Sequence, residues 1–357
     1  MTPQLARVGT CALLTLTLVD GALAQSHVTV YGVVDAAALA TRKGGRTVHT
    51  LESGMGATSR WGFIGSEDLG GGLSTGFHLE AIFKSDTGVV GSTSAQGEPV
   101  YFSRQSNVWL RSRDIGEVRL GRQYPAQISP AFDTFSGVSG FSPYASLSSI
   151  GKDQGAGTSV GDSRISRAVS YLTPDRFALG ASVLYAFRNN SNPGYRQASA
   201  YGAEVHYASG PLQLQAQYMA NNTDPTSTVS SFRNEWWGVG AQYKFNGLTA
   251  SYIVNALVPK RANYLKSQTH ALGFTIPYGT GTFRISPVYR AVEGRSDLNS
   301  FALGLGYDHH LSKRTALYTR AGYVDNRRNA IATLGPTSLA QPGDKLPLLA
   351  LGMYHRF

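Results

Sequence analysis

The stretch PLQLQAQYMA, residues 211–220, alternates between apolar and polar side chains over residues 212–218. Leucine, alanine and tyrosine occupy its even positions, and glutamine occupies positions 213, 215 and 217. Successive side chains of a β-strand point to opposite faces, so this pattern predicts a strand with one apolar and one polar face. The alternation alone leaves the direction open. The apolar face would pack into the core of a soluble protein, or it would face lipid in a membrane barrel.

The same alternation recurs along the chain. It is found at residues 76–84, 177–187, 282–290 and 301–310, and the face opposite the apolar side chains is repeatedly small, polar or charged. The connections between these segments alternate in length. Seven are short, among them Asn246-Gly247, a strong signal for a tight hairpin turn. The eight long ones are residues 42–59, 86–101, 124–163, 188–197, 221–232, 259–266, 293–298 and 327–344.

Seven short turns and eight long loops join sixteen strands. Short turns at one end and long loops at the other are typical of an outer-membrane barrel with periplasmic turns and extracellular loops. Ten residues at about 3.3 Å each, tilted by about 45°, rise roughly 23 Å, which matches the apolar band of such barrels. We therefore predict an all-β fold, a 16-stranded antiparallel transmembrane barrel, with the leucines of residues 211–220 toward lipid and the glutamines toward water.

The first 24 residues have the organisation of a secretory signal. Arg7 precedes an apolar run over residues 8–19, and Ala22-Leu23-Ala24 forms a small-residue cleavage site. We expect a signal peptide at 1–24 and a barrel domain at 25–357. The only cysteine, Cys11, lies within the signal, so the exported chain would have no disulfide. The net charge of +10 is spread without lysine or arginine runs, which argues against a nucleic-acid partner.

Four motifs carry a family resemblance: HVTVYGVVDAAA, SRWGFIGSEDLGGGLSTGFHLE, GEVRLGRQYPA and the terminal GMYHRF. In this order they resemble the general porins of Gram-negative bacteria, particularly the β-proteobacterial type. The resemblance implies a homotrimer in the cell outer membrane, surrounded by its lipid and lipopolysaccharide. It implies a water-filled channel for passive diffusion of small hydrophilic solutes and ions. It also implies that the third long loop, 124–163, folds into the pore, and that outer-membrane assembly machinery recognises the terminal Phe357.

Related porins place wall arginines opposite acids of the third loop. By motif, the resemblance assigns Arg60, Arg104 and Arg122 to the wall of the constriction, and Asp133 to the loop side. The loop lacks the acid-rich stretch of many porins, since Asp153 and Asp162 follow much later. Several arginines facing few acids predict a positive constriction and an anion preference.

Further basic residues fall on polar positions of predicted strands. We expect Arg284, Arg290 and Arg320 to line a basic lumen, and we place Lys84 and Lys244 in the same group. The sequence does not determine whether Arg167 points to the lumen or to lipid. If it points to lipid, it must lie near the membrane–water interface.

Two other functions remain as alternatives. A substrate-specific channel of the same fold, for a sugar or a small organic anion, would use lumen aromatics such as Tyr318 and Trp236. A barrel enzyme would need a converging Ser/His/Asp set, and we find no G-x-S-x-G elbow in the sequence. We interpret His309-His310 as a solvated turn rather than a metal site. No catalysis, cofactor or metal is expected.

Overall fold

The computed structural model describes residues 26–43, 46–93, 99–128, 130–136, 140–151, 153–154, 164–187, 200–222, 232–335 and 341–357. The predicted signal at 1–24 and Asp162 lie outside the described residues. No helix among the residues described is long and apolar enough to cross a membrane.

The regular secondary structure of the described residues is almost entirely β-strand. The strands are β1 His27–Lys43, β2 Arg46–Ser53, β3 Arg60–Gly70, β4 Leu73–Ile82, β5 Ser92–Thr93, β6 Pro99–Val100, β7 Gln105–Ser112, β8 Gly116–Gln123, β9 Ile165–Leu172, β10 Leu179–Ala186, β11 Ala200–Ser209, β12 Leu212–Asn222, β13 Arg233–Phe245, β14 Leu248–Lys260, β15 Ser267–Tyr278, β16 Gly281–Val292, β17 Ser300–His310, β18 Thr315–Asn326 and β19 Lys345–Arg356. One helix, α1 at Pro143–Ser148, and two 3-10 turns, Pro130–Phe132 and Ser296–Leu298, complete the secondary structure of the described ranges.

Seventeen strands form one antiparallel sheet, and β5 and β6 form a small separate hairpin. Two of the seventeen, β2 and β3, both pair with β1, one with each half of it. They occupy one position of the barrel, so the barrel has the predicted sixteen positions. The break between them has a visible cause: the carboxylate of Asp35, fully buried, accepts hydrogen bonds from the N–H groups of Gly54, Gly56 and Ala57 and draws that segment inward.

The sheet closes between its first and last strands. β1 pairs with β19 from Val33 opposite Arg356 to Thr41 opposite Leu348. The terminal Phe357 extends this ladder, because its N–H and C=O both bond the backbone of Gly32 at 3.1 Å. A side chain at Gly32 would collide with the Phe357 ring, so this glycine makes room for the last residue.

The two ends of the barrel differ as predicted. All seven short turns join β3–β4, β7–β8, β9–β10, β11–β12, β13–β14, β15–β16 and β17–β18 at the end that also holds the start of β1 and the end of β19. At the β13–β14 turn Asn246 and Gly247 both have positive φ, 48° and 84°, which a two-residue hairpin of this twist requires. The strand ends that the longer connections join lie at the opposite end.

The apolar faces of the strands point to the outside of the barrel, and the polar faces point to its interior. On β12 Leu214 is 39% exposed, whereas Gln215 and Gln217 on the other face are 5% and 7% exposed. Apolar side chains are exposed on the outside of the other strands as well, for example Val108 and Leu305. An outer surface of this composition requires lipid rather than water.

The third long loop lies inside the barrel. Side chains on the polar face of the wall donate hydrogen bonds to its backbone carbonyls. These bonds run from Gln215 to Gln127 (3.1 Å), from Gln242 to Ala131 (2.8 Å) and from Arg284 to Thr134 (2.7 Å). Glycines make space for the loop, since a side chain at Gly273 would collide with Thr134 and one at Gly304 would lie 2.7 Å from Pro143 Cγ. The inward fold expected from the resemblance is therefore present in the described part of the loop.

The pairing of β8 with β9 contains one irregularity, and it places Arg167. The register shifts between Gly121 and Gln123, so Ser166 and Arg167 together lie opposite Arg122. Arg167 has a positive φ of 55° and is exposed at the loop end of β9. This bulge locates it near the interface, where an outward arginine is tolerated.

An arginine introduced at the middle of the outer face of β11 tests whether that face contacts lipid. Val205 lies near the centre of β11 and is 48% exposed, and its neighbour His206 points into the lumen beside Glu204. Val205→Arg should lower the free energy of unfolding by about 2–4 kcal/mol, the cost of arginine at the bilayer midplane. His206→Arg, the matched control, should change it by less than about 1 kcal/mol because its side chain stays in water. Urea unfolding of the protein in lipid vesicles measures both, and equal losses would contradict the facing.

Candidate functional site

Two of the predicted constriction arginines meet at one carboxylate. Arg60 begins β3, Glu80 lies near the end of β4, and Arg104 immediately precedes β7. The Glu80 carboxylate accepts from Arg104 Nε at 2.6 Å and lies 3.1 Å from Arg60 Nε. Glu80 is almost buried, with 6% of its side chain exposed, while Arg60 keeps 23% exposed toward the lumen. One acid on the wall therefore holds two guanidiniums at fixed positions.

Aromatic side chains and a further arginine complete this cluster. The Tyr31 hydroxyl donates to Glu80 at 2.8 Å, and Arg104 Nη2 donates to the Tyr124 hydroxyl at 2.8 Å. The guanidinium of Arg164, at the end of the third loop, stacks on the Tyr124 ring at 3.6 Å from its centroid. Burial, together with the charge of Arg104, lowers the pKa of Arg164 to about 10, so it remains charged at neutral pH.

A second arginine pair meets at Asp308 on β17, five strands from β4 around the barrel. Arg284 Nε and Arg320 Nη2 donate to the two oxygens of this carboxylate at 2.7 and 2.6 Å. Asp308 and Arg320 are nearly buried, but 26% of the Arg284 side chain is exposed. Arg284 also donates to the carbonyl of Thr134, so this pair anchors the third loop as well as charging the lumen.

A third set lies nearer the short turns. Glu117 on β8 accepts from Arg111 Nε at 2.8 Å and from Arg119 Nε at 2.9 Å, one arginine at each oxygen. The acid is 4% exposed, whereas the arginines are 50% and 25% exposed. We call these three arrangements the arginine triads: Arg60–Glu80–Arg104, Arg284–Asp308–Arg320 and Arg111–Glu117–Arg119. Each has a net charge of +1 and presents at least one guanidinium to the lumen.

Arg122 reaches the neighbour of Arg104 from the outer parity of β8, and its place in the constriction stays a prediction. It shares the parity of Val118 and Leu120, the exposed outer residues of β8. Its guanidinium donates to the Ser103 carbonyl at 2.8 Å and to the Ser166 hydroxyl at 2.7 Å. Arg122 lies opposite the bulge in β9, and the pattern of the sequence alone gives no sign of that bulge.

Two of the predicted lumen-lining residues are covered in the structure. Arg290 is 0% exposed, covered by Asp153 and Gln154 of the third loop, so it anchors the loop instead of lining the channel. Arg320 points inward, but its guanidinium is covered by Asp308 and Phe135. Lys84 lies just beyond the end of β4, on the parity of Glu80, and is exposed there, so its lumen-lining role stays a prediction.

Lys244 lies at the exposed end of β13, next to the short turn. Arg284, also in the predicted lumen set, points inward and keeps 26% of its side chain exposed.

Asp133 supports the loop from within. It is 6% exposed, and its carboxylate accepts hydrogen bonds from the Phe135 N–H and the Ser142 hydroxyl, the residue that caps α1. Its place in the constriction stays a prediction.

The acids of the three arginine triads lie on the wall. The sequence already indicated that Glu80 and Asp308 point to the lumen, since both fall on the polar face of their strands. Which arginines they pair with follows only from the strand register.

Comparison with known proteins agrees with this architecture. A family model described as Gram-negative porin matches residues 10–329. This chain belongs to the Gram-negative porin family. Outer membrane porin protein 32 of Delftia acidovorans is 31% identical to it over 97% of this porin and 98% of that protein. An outer membrane porin protein of Bordetella pertussis is 26% identical over 85% of this porin and 90% of that protein.

Solved structures support the barrel. The anion-selective porin from Comamonas acidovorans superposes with a TM-score of 0.80 at 28% identity, covering 93% of this porin and all of that chain. OmpF of Salmonella typhi, at 16% identity, shares the fold with a TM-score of 0.64 over 92% of this porin and 97% of that chain. The protein is an outer-membrane porin, a passive channel through a closed 16-stranded barrel.

Removing the acid of the first triad should strengthen its positive field. Glu80→Gln leaves Arg60 and Arg104 with a local charge of +2 instead of +1. A unit charge about 10 Å from an ion contributes about 0.4 kcal/mol at the dielectric constant of water, with opposite sign for anions and cations. The anion-to-cation permeability ratio should therefore rise about fourfold before salt screening.

The reversal potential in a planar bilayer under a salt gradient measures this ratio. Glu293→Gln, which removes an exposed acid from a long loop, serves as the control and should change the ratio much less. A ratio that falls in Glu80→Gln would contradict the placement of this triad in the conducting lumen.

Proposed function

We propose that this porin prefers anions, and that the arginine triads set the preference. The observation that carries the proposal is the charge balance of the inner wall: each triad places two guanidiniums on one buried carboxylate and keeps a net charge of +1. Buried carboxylates cannot attract a passing cation as strongly as the more exposed arginines attract an anion. The anion-selective porin of Comamonas acidovorans, to which the chain is similar, supports this assignment.

The magnitude is modest and depends on salt. Three net charges, each about 10 Å from an ion, contribute about 1.2 kcal/mol in all at the dielectric constant of water. This corresponds to an enrichment of anions by several-fold. Salt with a Debye length of about 8 Å weakens it, so the preference should be strongest in dilute solution.

The substrate-specific alternative loses one of its two aromatic candidates. Tyr318 is 3% exposed, with its hydroxyl on Asp35 at 2.7 Å, so it supports the first long loop instead of contacting solutes. Trp236 packs against Leu257 and is partly buried. We therefore favour a general channel for small hydrophilic solutes and inorganic ions, without enzymatic activity.

We further propose the export, assembly and lipid environment that the porin resemblance implies. These are removal of residues 1–24 on export, assembly into a homotrimer, recognition of Phe357 by outer-membrane assembly machinery, and lipopolysaccharide around the barrel. Phe357 suits its role, since its backbone bonds close the barrel and its side chain is 47% exposed on the outside.

Removing one exposed guanidinium from the lumen tests the anion preference. Arg60→Gln should lower the anion-to-cation permeability ratio by about fourfold at low salt, because one positive charge about 10 Å from the ion path is lost. Arg176→Gln provides the matched control: it removes the same charge from the β9–β10 turn, where Arg176 pairs with Asp114 and half of its side chain is exposed. Reversal potentials of the two variants measure the difference. Equal shifts would mean that overall charge, not the lumen wall, determines selectivity.

A further inference from the structure

A tryptophan lies on the inner wall next to the third triad. Trp109 of β7 is directly opposite Arg119 of β8, and both point inward, since their neighbours Val108 and Leu120 are exposed on the outer face. Across the other edge of β7, Trp109 pairs with Gly76 of β4. A side chain at Gly76 would collide with the indole, so the glycine leaves room for the ring against the wall.

This site is separate from the constriction. Trp109 lies four residues along β7 from Gln105, the residue paired with Glu80. At about 3.3 Å per residue, the two sites are about 13 Å apart along the strand, with Trp109 on the side of the short turns. That distance exceeds the Debye length of about 8 Å at physiological ionic strength, so the third triad acts on solutes largely on its own.

The arginines of this triad retain donors for a ligand. Both direct Nε and Nη2 toward Glu117. Among the residues that the structure describes, neither Nη1 has a hydrogen-bond acceptor within the protein. Half of the Arg111 side chain and a quarter of that of Arg119 are exposed. Arg111 also lies over the indole, with its guanidinium carbon 5.3 Å from the ring centroid.

We infer that Trp109, Arg111 and Arg119 form a binding subsite for small carboxylates that carry a flat aromatic body. The inference rests on the proposed function, since such solutes must first pass an anion-preferring constriction. Guanidinium groups bind carboxylates through charge-assisted hydrogen bonds, and an indole packs against an aromatic ring. Glu117 holds the two guanidiniums in place and cancels one of their charges, so the subsite binds reversibly and lets the solute leave.

Block of chloride current by added carboxylates tests the subsite. We expect benzoate to reduce single-channel current with a half-blocking concentration about tenfold lower than that of acetate, because only benzoate has a ring for the indole. Trp109→Leu should remove this difference, and Trp109→Phe should retain most of it. Trp237→Leu is the control, because that tryptophan faces outward and is 39% exposed. Arg119→Gln should weaken block by both carboxylates.

The outcomes separate this inference from the proposed function. An anion-favouring reversal potential in the unmodified porin, with equal block by benzoate and acetate, would overturn the subsite alone. A benzoate preference that survives Trp109→Leu in folded protein, judged by heat-modified gel mobility, would also overturn it. If Trp109→Leu does not fold, block by benzoate and acetate is compared in Trp109→Phe and Arg119→Gln instead. The subsite requires that Arg119→Gln weakens block by both carboxylates, and unchanged block would overturn it. A cation-favouring reversal potential in the unmodified porin would instead contradict the proposed function.

Discussion

The closure of the β-ladder is the constraint on which the rest of this molecule depends. In lipid every backbone N–H and C=O must find a partner within the protein, and a sheet without free edges meets that demand. Here β1 and β19 pair over nine residues, and the backbone of Phe357 adds two more bonds to Gly32. Once the ladder closes, each strand has a lipid face and a lumen face. The alternation of residues 211–220 is therefore a consequence of closure.

Closure also creates an interior that the protein must fill or charge. The third loop fills part of it, fitted over glycines such as Gly304 and bonded to wall side chains such as Gln242 and Arg284. The arginine triads charge the remainder. Burying an acid between two guanidiniums costs desolvation energy, and two short ion pairs offset this cost. The ion pairs keep their geometry because the strands of the wall are rigid. The result is a fixed positive field rather than a set of mobile surface charges.

The strands, their number, their facing and the two unlike ends could all be predicted from the sequence, because period-two alternation and turn residues are local signals. The motifs grouped Arg60 with Arg104, and the structure brings both to the Glu80 carboxylate. The contacts of Arg122 could not be predicted, because it lies opposite a bulge at Ser166 and Arg167 that has no sequence signature. Arg290 was missed as a buried anchor because its partner Asp153 lies 137 residues away. The triads depend on the strand register in the same way, since each joins an acid and two arginines from two or three neighbouring strands.

One measurement addresses the central claim, that fixed wall arginines make the lumen attractive to anions. The purified, refolded porin would be placed in a planar bilayer under a potassium chloride gradient, and the reversal potential read at low and at physiological ionic strength. We predict an anion-favouring potential whose permeability ratio rises at low salt, where the Debye length grows to about 30 Å at 0.01 M. A cation-favouring potential, or a ratio that stays the same at both salt concentrations, would contradict the account.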